Sequence, residues 1–496
     1  MIQIDRLSPE PIPMQIKRAV ADLVRSGLMQ DGEQLPPVRR LARELGISPV
    51  TVVQAYAALE SAGLADRRQG LGVFVRAKVA GPLRAAGSGR ETATGMDRQA
   101  AAGECREQTG WQQGLVDYIP RSVSWSFQAR EPEPGLIQMQ TAVVSADLLP
   151  IPDLVNDLRA AILSDPQLLG RYSPLAGLHR LRSAAAAYIS TTGLPLEPEQ
   201  VMITQGAQQG IDLVARTFVG PGDAVAVEAL TYPPAIDAFR ARGARIYPIP
   251  VDGEGMQVDP LEEIPGLKLV YTVPAYQNPL GVVMSRRRRL DLLDLARERR
   301  LLVVEDDPWR EISFEKTPPP PLKAQDSGGH VIYLKSFGKL VAVGLRVGAL
   351  VASGRVFQRL LAAKEVVDRG TALLPQVALQ ALLDSPRMGR HMRRLTLALR
   401  ERRDRLIREL EAQAPRGVRW TVPQGGLSVW VSLPPQMDTE ALLPIALQRG
   451  LAFAPGAGFF PAEPQTQHLR LSYGLGAPQE LARGVSLLCD LLRERL

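Results

Sequence analysis

Apolar residues in the first eighty positions recur at the spacing of short amphipathic helices. One stripe is formed by Ile16, Val20, Leu23 and Val24, which predicts a helix from Pro13 to Ser26. A second helix is predicted from Pro36-Pro37 to Gly46, because proline suits a first turn and glycine a helix end. A third is predicted to begin at Ser48 as N-cap, with Pro49 in the first position, and to end at Gly63.

About three residues separate the second and third helices, which is the spacing of a helix-turn-helix. Leu64–Asp66 and Val73–Val75 flank the turn Gly70-Leu71-Gly72 and predict a β-hairpin wing. The third helix would fit the major groove of duplex DNA. We expect the outward polar side chains Ser48, Thr51 and Gln54 to face bases, and Arg39, Arg67 and Arg68 to face phosphates. From this geometry alone, a three-helix bundle that docks another protein remains the alternative.

From about residue 135 onward, short apolar runs alternate with helical patterns. The predicted strands are Val201–Thr204, Ala224–Val227, Leu267–Thr272, Leu301–Glu305, Val331–Leu334 and Val347–Val351. Helical segments such as Arg286–Arg300 lie between them, which predicts an α/β fold with a mostly parallel sheet. After about residue 390 the pattern becomes α+β, as in a smaller C-terminal subdomain.

These patterns divide the chain into a winged helix at 1–78, a linker at 79–134 and a large domain at 135–496. Within the large domain we expect a large subdomain at about 165–385 and a small one at about 390–496. The segment 79–134 is rich in Ala, Gly, Arg, Gln and Glu without an apolar period, which predicts a flexible linker. Aromatic residues at its end, from Trp111 to Phe127, favour docking of that part on a neighbour.

Composition narrows the class of protein further. The longest apolar runs are too short to cross a bilayer, and the first residues lack the apolar stretch of a secretory signal. The two cysteines, Cys105 and Cys489, are far apart, which fits the reducing cytoplasm, and neither they nor the four histidines predict a metal site. The net charge of +7 permits nucleic-acid binding without establishing it.

The large domain carries a lysine and several polar groups at predicted strand ends. Lys339 follows a strand, and Arg346 comes seven residues later, where a guanidinium suits phosphate. Lys335 is the competing lysine, and either could be an ordinary surface residue. The run Val303-Val304-Glu305-Asp306-Asp307-Pro308 puts acids at the end of a buried strand, where a carboxylate needs a partner such as a pyridinium N–H, and a polar strand-end loop is the alternative. Gly206 opens a strand-to-helix turn whose backbone N–H groups suit a phosphate.

Two further turns offer groups for an aromatic cofactor. Tyr232 could stack on a ring, and Asn278 could contact a ring oxygen, although turn chemistry alone would explain both. A lysine, a carboxylate, phosphate donors, a stacking ring and an amide are what pyridoxal 5'-phosphate (PLP) needs from a protein. The pattern therefore predicts a PLP site.

The first of two resemblances covers residues 11–76. The segment PMQIKRAVADLVRSGLMQDGEQLPPVRRLARELGISPVTVVQAYAALESAGL and the wing RRQGLGVFV resemble the winged helix of GntR-type bacterial regulators. Two departures matter: Pro49 stands where that family often has an arginine, and Pro37 stands where it usually has a serine. The resemblance implies binding to double-stranded DNA, with an altered base preference.

The second resemblance covers nearly all of residues 135–496, which resemble aminotransferases of PLP fold type I. It rests on YLKSFGKLVAVGLRVG, YSPLAGLHRLR, PQGGLSVW, FAPGAGFF and HLRLSYG. The resemblance makes Lys339 the Schiff-base lysine, Asp306 the pyridine partner, Tyr232 the stacking ring and Asn278 the contact of the 3'-oxygen. It places Gly206, Ala207, Gln208, Ser336 and Arg346 around the phosphate, Tyr172 at the phosphate of a neighbouring subunit, and Arg470 on an effector or substrate carboxylate. Gly338 replaces a usual hydroxyl, and Trp309 replaces a usual tyrosine near the 3'-oxygen.

Together the two halves resemble the MocR-type regulators, which implies a homodimer. The leading hypothesis is a cytoplasmic DNA-binding transcriptional regulator that holds PLP and responds to PLP or to a small amino compound. The second is an aminotransferase that carries an accessory winged helix. The third is a PLP-free interaction protein.

Overall fold

The computed structural model describes residues 11–25, 34–61, 65–68, 72–75 and 135–495. The chain divides into two units, Met1–Gly95 and Met96–Leu496, and each is described here by itself. The predicted linker 79–134, with its aromatic residues from Trp111 to Phe127, lies outside the described residues.

Three helices and a two-stranded hairpin form the first unit. The elements are α1 (Ile12–Arg25), α2 (Val38–Leu45), α3 (Pro49–Ser61), β1 (Ala65–Arg68) and β2 (Gly72–Val75). The hairpin is antiparallel, with Ala65 opposite Val75. Buried apolar residues from all three helices and both strands make one core, which includes Ile16, Val20, Leu41, Ala42, Val52, Tyr56, Leu59, Val73 and Val75. The predicted order of helices and wing is therefore present.

The start of α3 is fixed by its N-cap. The Ser48 hydroxyl accepts a hydrogen bond from the Thr51 backbone N–H (3.2 Å) and lies 2.9 Å from the Thr51 hydroxyl. Serine at this position satisfies one of the N–H groups that a helix start leaves without a partner. Tyr56 then ties α3 to the residue before α2, because its hydroxyl donates to the Pro36 carbonyl at 2.6 Å. These hydrogen bonds fix the start of α3 and join α3 to the residues before α2.

The second unit alternates strands and helices. Its strands are β3 (Ile137–Gln138), β4 (Val201–Thr204), β5 (Ala224–Glu228), β6 (Arg245–Ile249), β7 (Val251–Asp252), β8 (Gly255–Met256), β9 (Leu267–Thr272), β10 (Leu302–Asp307), β11 (Val331–Ser336), β12 (Gly348–Val351), β13 (Arg419–Trp420), β14 (Ser428–Ser432), β15 (Leu451–Ala452), β16 (Ala454–Pro455) and β17 (His468–Ser472). Its helices are α4 (Ile151–Ser164), α5 (His179–Ser190), α6 (Ala207–Phe218), α7 (Pro233–Arg240), α8 (Arg286–Arg299), α9 (Gly354–Val367), α10 (Leu373–Leu383), α11 (Pro386–Gln413), α12 (Thr439–Gln448) and α13 (Pro478–Arg493).

Within residues 135–495 the larger sheet has seven strands in the order β4-β12-β11-β10-β9-β5-β6. Strand β12 is antiparallel to both neighbours, and every other pair is parallel. Apart from the edge strand β6, the strands are almost entirely buried, as parallel strands covered by helices on both faces are. Helices α6, α7 and α9 cover one face. Helix α8 covers part of the other, and α5 and α10 cover the rest. The predicted mostly parallel α/β sheet is confirmed.

A smaller antiparallel sheet, β13-β14-β17-β16, forms the C-terminal part of the second unit. It shares a core with the long helix α11 and with α13. Strand β3 pairs in parallel with β15, so residues near 137 belong structurally with the C-terminal part. None of the described helices combines the length and apolarity that a bilayer crossing requires.

Candidate cofactor site

One edge of the larger sheet gathers most of the predicted site residues. Strands β4, β5, β9, β10 and β11 run in the same direction, so their carboxyl ends meet at this edge. Asp306 and Asp307 are the last residues of β10, and the loops after the other four strands carry Gly206, Tyr232, Asn278 and Lys339. Strand β12 runs the other way, so the residue shortly before it, Arg346, lies at the same edge. Open α/β sheets bind ligands at such carboxyl ends.

Asp306 is a buried carboxylate with one oxygen satisfied. Its Oδ2 accepts a hydrogen bond of 2.7 Å from the hydroxyl of Tyr271 in the neighbouring strand. Its Oδ1 has no hydrogen-bond partner among the described residues. Burial raises the pKa of Asp306 to about 6, although the Tyr271 hydrogen bond and the charge of Lys339 lower it. A buried acceptor without a partner is costly, so this oxygen fits a ligand's N–H donor.

Lys339 and Lys335 differ in what their amines contact. The Nζ of Lys335 is buried, donates to Glu311 at 2.6 Å and to the Asp307 carbonyl at 3.3 Å, and is therefore held inside the protein. The Nζ of Lys339 forms no hydrogen bond or ion pair with the described residues and lies 5.4 Å from the centre of the Trp309 ring. Burial lowers the pKa of Lys339, while Asp306 raises it. A lowered pKa favours the neutral amine, the form that attacks a carbonyl.

The turn between β4 and α6 forms a cradle for an anion. Gly206 is the N-cap of α6 and has φ +80°, a conformation that glycine adopts without strain. A Cβ at Gly206 would lie 3.4 Å from a guanidinium nitrogen of Arg346, so the guanidinium lies beside this turn. Ala207 and Gln208 begin the helix, and Ser336 ends β11. Helix N–H groups beside a guanidinium suit a phosphate.

Tyr232 and Asn278 follow the carboxyl ends of the adjacent strands β5 and β9. Burial raises the pKa of Tyr232 to about 12; the charge of Asp306 also raises this pKa, and the charges of Arg346 and Arg470 lower it. Asn278 is buried, precedes a cis peptide bond to Pro279, and accepts a hydrogen bond of 3.1 Å from Arg470 through Oδ1.

Arg470 comes from β17 of the smaller sheet. Besides Asn278, its guanidinium donates to the Gln140 carbonyl at 2.6 Å and lies 5.0 Å from the Phe459 ring. Burial lowers the pKa of Arg470 to about 10. The smaller sheet thus places a guanidinium beside the Asn278 side chain, where a carboxylate-bearing ligand would find a charged donor.

Trp309 is buried and bonded to a loop carbonyl, whereas Tyr172 is exposed. The indole N–H of Trp309 donates to the Tyr276 carbonyl at 2.7 Å, so the side chain presents its ring, and not its N–H, towards Lys339. Tyr172 is 85% exposed and makes no hydrogen bond or ring contact with the described residues. Its predicted place at a neighbouring subunit's phosphate remains a prediction.

Two residues at this edge were missed by the sequence analysis. Tyr271 orients Asp306. Glu228, at the end of β5, is buried and accepts hydrogen bonds from the Thr272 hydroxyl (2.7 Å), the Val273 N–H (3.0 Å) and the Gln277 amide (2.8 Å). It thereby anchors the loop that carries Asn278. An acid at the end of the apolar run Ala224–Val227 was the available signal, as it was for Asp306.

The predicted DNA-facing residues lie on the expected elements of the first unit. Ser48 and Thr51 bond to each other at the start of α3, and Gln54 is exposed on the same helix. Arg39 lies in α2, and Arg67 and Arg68 lie in β1, but their side chains are outside the described part.

Comparisons with known proteins match both units. Residues 145–488 match the family "Aminotransferase class I and II", and residues 14–75 match "Bacterial regulatory proteins, gntR family". The gntR match covers α1 to β2, and the aminotransferase match covers the larger sheet and most of the smaller subdomain.

Individual relatives match the aminotransferase part or nearly the whole chain. Aromatic-amino-acid aminotransferase 1 of Thermococcus litoralis is 33% identical over 377 residues, 73% of this chain and 90% of the relative. The probable rhizopine catabolism regulatory protein MocR of Rhizobium meliloti is 26% identical over 494 residues, 98% of this chain and 95% of the relative. The crystal structure of LysN, an alpha-aminoadipate aminotransferase of Thermus thermophilus complexed with N-(5'-phosphopyridoxyl)-L-leucine, matches with a TM-score of 0.71 and 32% identity, covering 78% of this chain and 97% of that one.

The residues present fit the cofactor of this fold. The unpartnered Oδ1 of Asp306 suits a pyridine N–H, the cradle at Gly206 and Arg346 suits a phosphate, and the Lys339 amine is free of ion pairs with the described residues. The cofactor of the large domain is PLP. The chain therefore belongs to the class I and II aminotransferases and, because a gntR-family domain precedes that fold, to the MocR-type regulators among them.

Proposed function

We propose that this regulator binds double-stranded DNA through residues 1–78 and holds PLP on Lys339 in residues 135–496. Residues 79–134 would be a flexible linker, and the large and small subdomains would span about 165–385 and 390–496. One observation supports the proposal most: both features occur in the same chain. Helix α3 is capped by Ser48. In the large domain, Lys339 has no ion pair with the described residues, and one oxygen of the buried Asp306 has no hydrogen-bond partner among them. We also propose that the protein acts in the cytoplasm.

Each site residue has a role in holding the cofactor. PLP supplies an aldehyde for a lysine and an electron-withdrawing pyridine ring. Lys339 would join that aldehyde, and Asp306 would accept the ring N–H through Oδ1. The backbone of Gly206, Ala207 and Gln208, with Ser336 and Arg346, would hold the phosphate.

The remaining contacts concern the ring. Tyr232 would stack on it, and Asn278 would donate its amide to the 3'-oxygen. Trp309 would line the site with its ring, because its N–H is already bonded to the Tyr276 carbonyl.

The effector would be a small amino compound, with amino acids as the leading class, or PLP itself. Arg470 provides the charged donor for a carboxylate. An effector amine would compete with Lys339 for the cofactor's aldehyde carbon. A signal to the DNA-binding domain requires that the effector bind two arrangements with different affinity, and a tenfold change in DNA affinity requires about 1.4 kcal/mol of coupling.

The assembly we propose is a homodimer. Apolar side chains are exposed on α4 and shortly after it, at Ile151, Val155, Leu163, Leu169 and Tyr172. Exposed apolar side chains on one segment favour burial of that segment against a second subunit. Tyr172 would then reach the partner's phosphate site. Two DNA-binding domains per dimer would require a repeated or palindromic operator.

Hydride trapping followed by peptide mass spectrometry tests the cofactor role directly. We expect the reduced PLP adduct on Lys339 in the wild type and no adduct in Lys339→Ala.

Duplex binding by both proteins, with and without PLP, then tests regulation. We expect PLP or an amino acid to change the DNA affinity of the wild type only. An adduct on another lysine, or four identical binding curves, would contradict the proposal.

The second candidate is an aminotransferase that carries a winged helix. The candidate cofactor residues, with Arg470, favour it, and so does the 33% identity to an aromatic-amino-acid aminotransferase. Steady turnover of an amino acid with a 2-oxo acid would support this second function. A single half-reaction that stops after one equivalent, together with effector-dependent DNA binding, would support the regulator.

A further inference from the structure

The exposed face of the recognition helix α3 is apolar at its start. Val50 and Val53 are 64% and 42% exposed, and Gln54 and Ala57 are exposed beside them. Positions i, i+3, i+4 and i+7 share one face of a helix, so these four side chains form a single stripe. The opposite face packs into the core of the domain through Val52, Ala55, Tyr56 and Leu59.

The hydroxyl groups at this end of the helix have a structural role. Ser48 and Thr51 contact each other, and Ser48 caps the helix by accepting from the Thr51 N–H. Pro49 has no N–H to donate. The two valines and the Gln54 amide are exposed side chains near the start of the helix that take no part in this cap.

We propose that Val50 and Val53 determine operator specificity by contacting the C5-methyl groups of thymines, with Gln54 reading an adenine beside them. The inference rests on the proposed function, because it assumes that α3 enters the major groove. The thymine methyl is the apolar feature that base pairs present there, and a glutamine side chain pairs with adenine through N6 and N7. The half-site would therefore be centred on A·T pairs.

The spacing of the stripe agrees with this assignment. Val50 and Val53 are three residues apart, which is roughly 4.5 Å along a helix axis, and successive bases are about 3.4 Å apart along a DNA strand. The two valines can therefore contact successive base pairs. Duplex DNA is favoured over a protein partner because this helix belongs to the segment that matches gntR regulatory proteins, and because the sequence places Arg67 and Arg68 on the adjacent wing strand.

The test begins with selection of duplexes from a random pool by the full-length protein. Each enriched thymine is then replaced by uracil, which removes only the methyl group. We expect about a fourfold loss of affinity for each contacted methyl, the value that corresponds to one buried CH₂-sized group. Val50→Ala and Val53→Ala should bind more weakly and should each become insensitive to uracil at one position. Gln54→Ala should lose the preference for adenine at its position.

Val366→Ala is the matched control, because Val366 is 87% exposed and lies in α9 of the other unit. It should keep both the affinity and the uracil sensitivity of the wild type. Enrichment of G·C pairs, or wild-type binding that does not respond to uracil at any thymine, would overturn the proposal while leaving DNA binding intact. If no duplex is enriched at all, the proposed function itself fails. The uracil measurement needs no variant, so misfolding cannot mask the result.

Discussion

The hydroxyl of Tyr271 donates to Oδ2 of Asp306 at 2.7 Å, and the buried Oδ1 of the same carboxylate has no hydrogen-bond partner among the described residues. The two side chains come from adjacent parallel strands, β9 and β10, in which Tyr271 pairs with Val304. Asp306 lies two residues beyond Val304 and so projects from the same face of the sheet. Tyr271 is thus a positioning residue for the carboxylate that would bind the pyridine nitrogen.

Removing that hydroxyl should weaken PLP binding. In Tyr271→Phe the carboxylate loses the hydrogen bond that lowers its pKa, so less of it is ionised near pH 7. A hydrogen bond to a charged group contributes about 1.5–3 kcal/mol, so we expect the PLP dissociation constant to rise roughly tenfold to a hundredfold. Absorbance or fluorescence titration of the PLP-free protein measures this constant.

Tyr333→Phe is the matched control for this experiment. Tyr333 is equally buried, and its hydroxyl donates to Asp307 at 2.9 Å, on the neighbouring carboxylate. Its loss should lower stability without changing PLP affinity. Equal weakening by both variants would show that Tyr271 acts only through the stability of the sheet.

The stability of the PLP-free protein should depend on pH through Asp306. Burial raises the pKa of this carboxyl from the ordinary 3.8 to about 6, so the folded state holds the proton more tightly than the unfolded state does. The stability that this group contributes is complete below about pH 4 and is lost as the pH rises through 6. Asp306→Asn cannot ionise. It should be more stable than the wild type by roughly 3 kcal/mol at pH 8, and the difference should vanish near pH 4.

Urea unfolding of both PLP-free proteins between pH 4 and pH 8 measures this difference. Glu228, whose pKa burial also raises to about 6, is present in both proteins, so its effect cancels. A difference that stays constant over this range, or one that grows as the pH falls, contradicts the assignment.

Much of the fold is readable from the sequence because buried strands are short apolar runs between turn residues. Strands β4 and β9 have the predicted bounds, Val201–Thr204 and Leu267–Thr272. Strand β6, Arg245–Ile249, was not predicted. It is an edge strand whose residues are mostly half-buried or exposed, and it therefore lacks the continuous apolar run of its neighbours.

The position of a candidate site residue was predictable where that residue lies at the end of a single strand. Lys339 and Asp306 are examples, because the carboxyl ends of parallel strands must meet. Contacts that depend on register or on a second subdomain were not predictable. Tyr271 reaches Asp306 only through the pairing of β9 with β10, and Arg470 reaches Asn278 from 192 residues away. The bond from the Trp309 N–H to a loop carbonyl likewise depends on tertiary packing.

Lys335 should be required for stability, in contrast to Lys339. Its buried ammonium is 2.6 Å from Glu311 and 3.8 Å from Asp307. Lys335→Met removes this buried cation from the buried Asp307 and the partly buried Glu311, and removal of one partner of a buried pair costs about 3–5 kcal/mol. Urea unfolding at pH 7 measures the loss.

A surface pair provides the comparison for Lys335. Lys268 bonds to Asp223 at 2.7 Å, but its side chain is half exposed, so Lys268→Met should cost about 1 kcal/mol or less. If Lys335→Met and Lys268→Met lose the same free energy of unfolding, burial does not increase the contribution of the Lys335 ion pair to stability.

The phosphate cradle depends on a close approach between two backbone segments at Gly348. A Cβ at this position would lie 2.8 Å from the Gly206 carbonyl carbon and 2.8 Å from the Lys335 carbonyl oxygen. Both are backbone atoms, so neither can move aside as a flexible side chain could. Gly348→Ala should therefore displace the start of α6 and should cost about 1–3 kcal/mol of stability. PLP affinity should fall more than the affinity for pyridoxal, which has no phosphate to be held by Gly206 and Arg346.

Gly344→Ala separates this effect from a general effect of alanine in the same loop. A Cβ at Gly344 would have no atom within 4 Å, so this variant should keep the wild-type stability and PLP affinity. Parallel titrations with PLP and pyridoxal give, for each variant, the affinity for PLP divided by the affinity for pyridoxal. That ratio should drop in Gly348→Ala alone, because only there does the added methyl reach the turn that begins at Gly206. An unchanged ratio in Gly348→Ala would mean that the turn before α6 does not hold the phosphate.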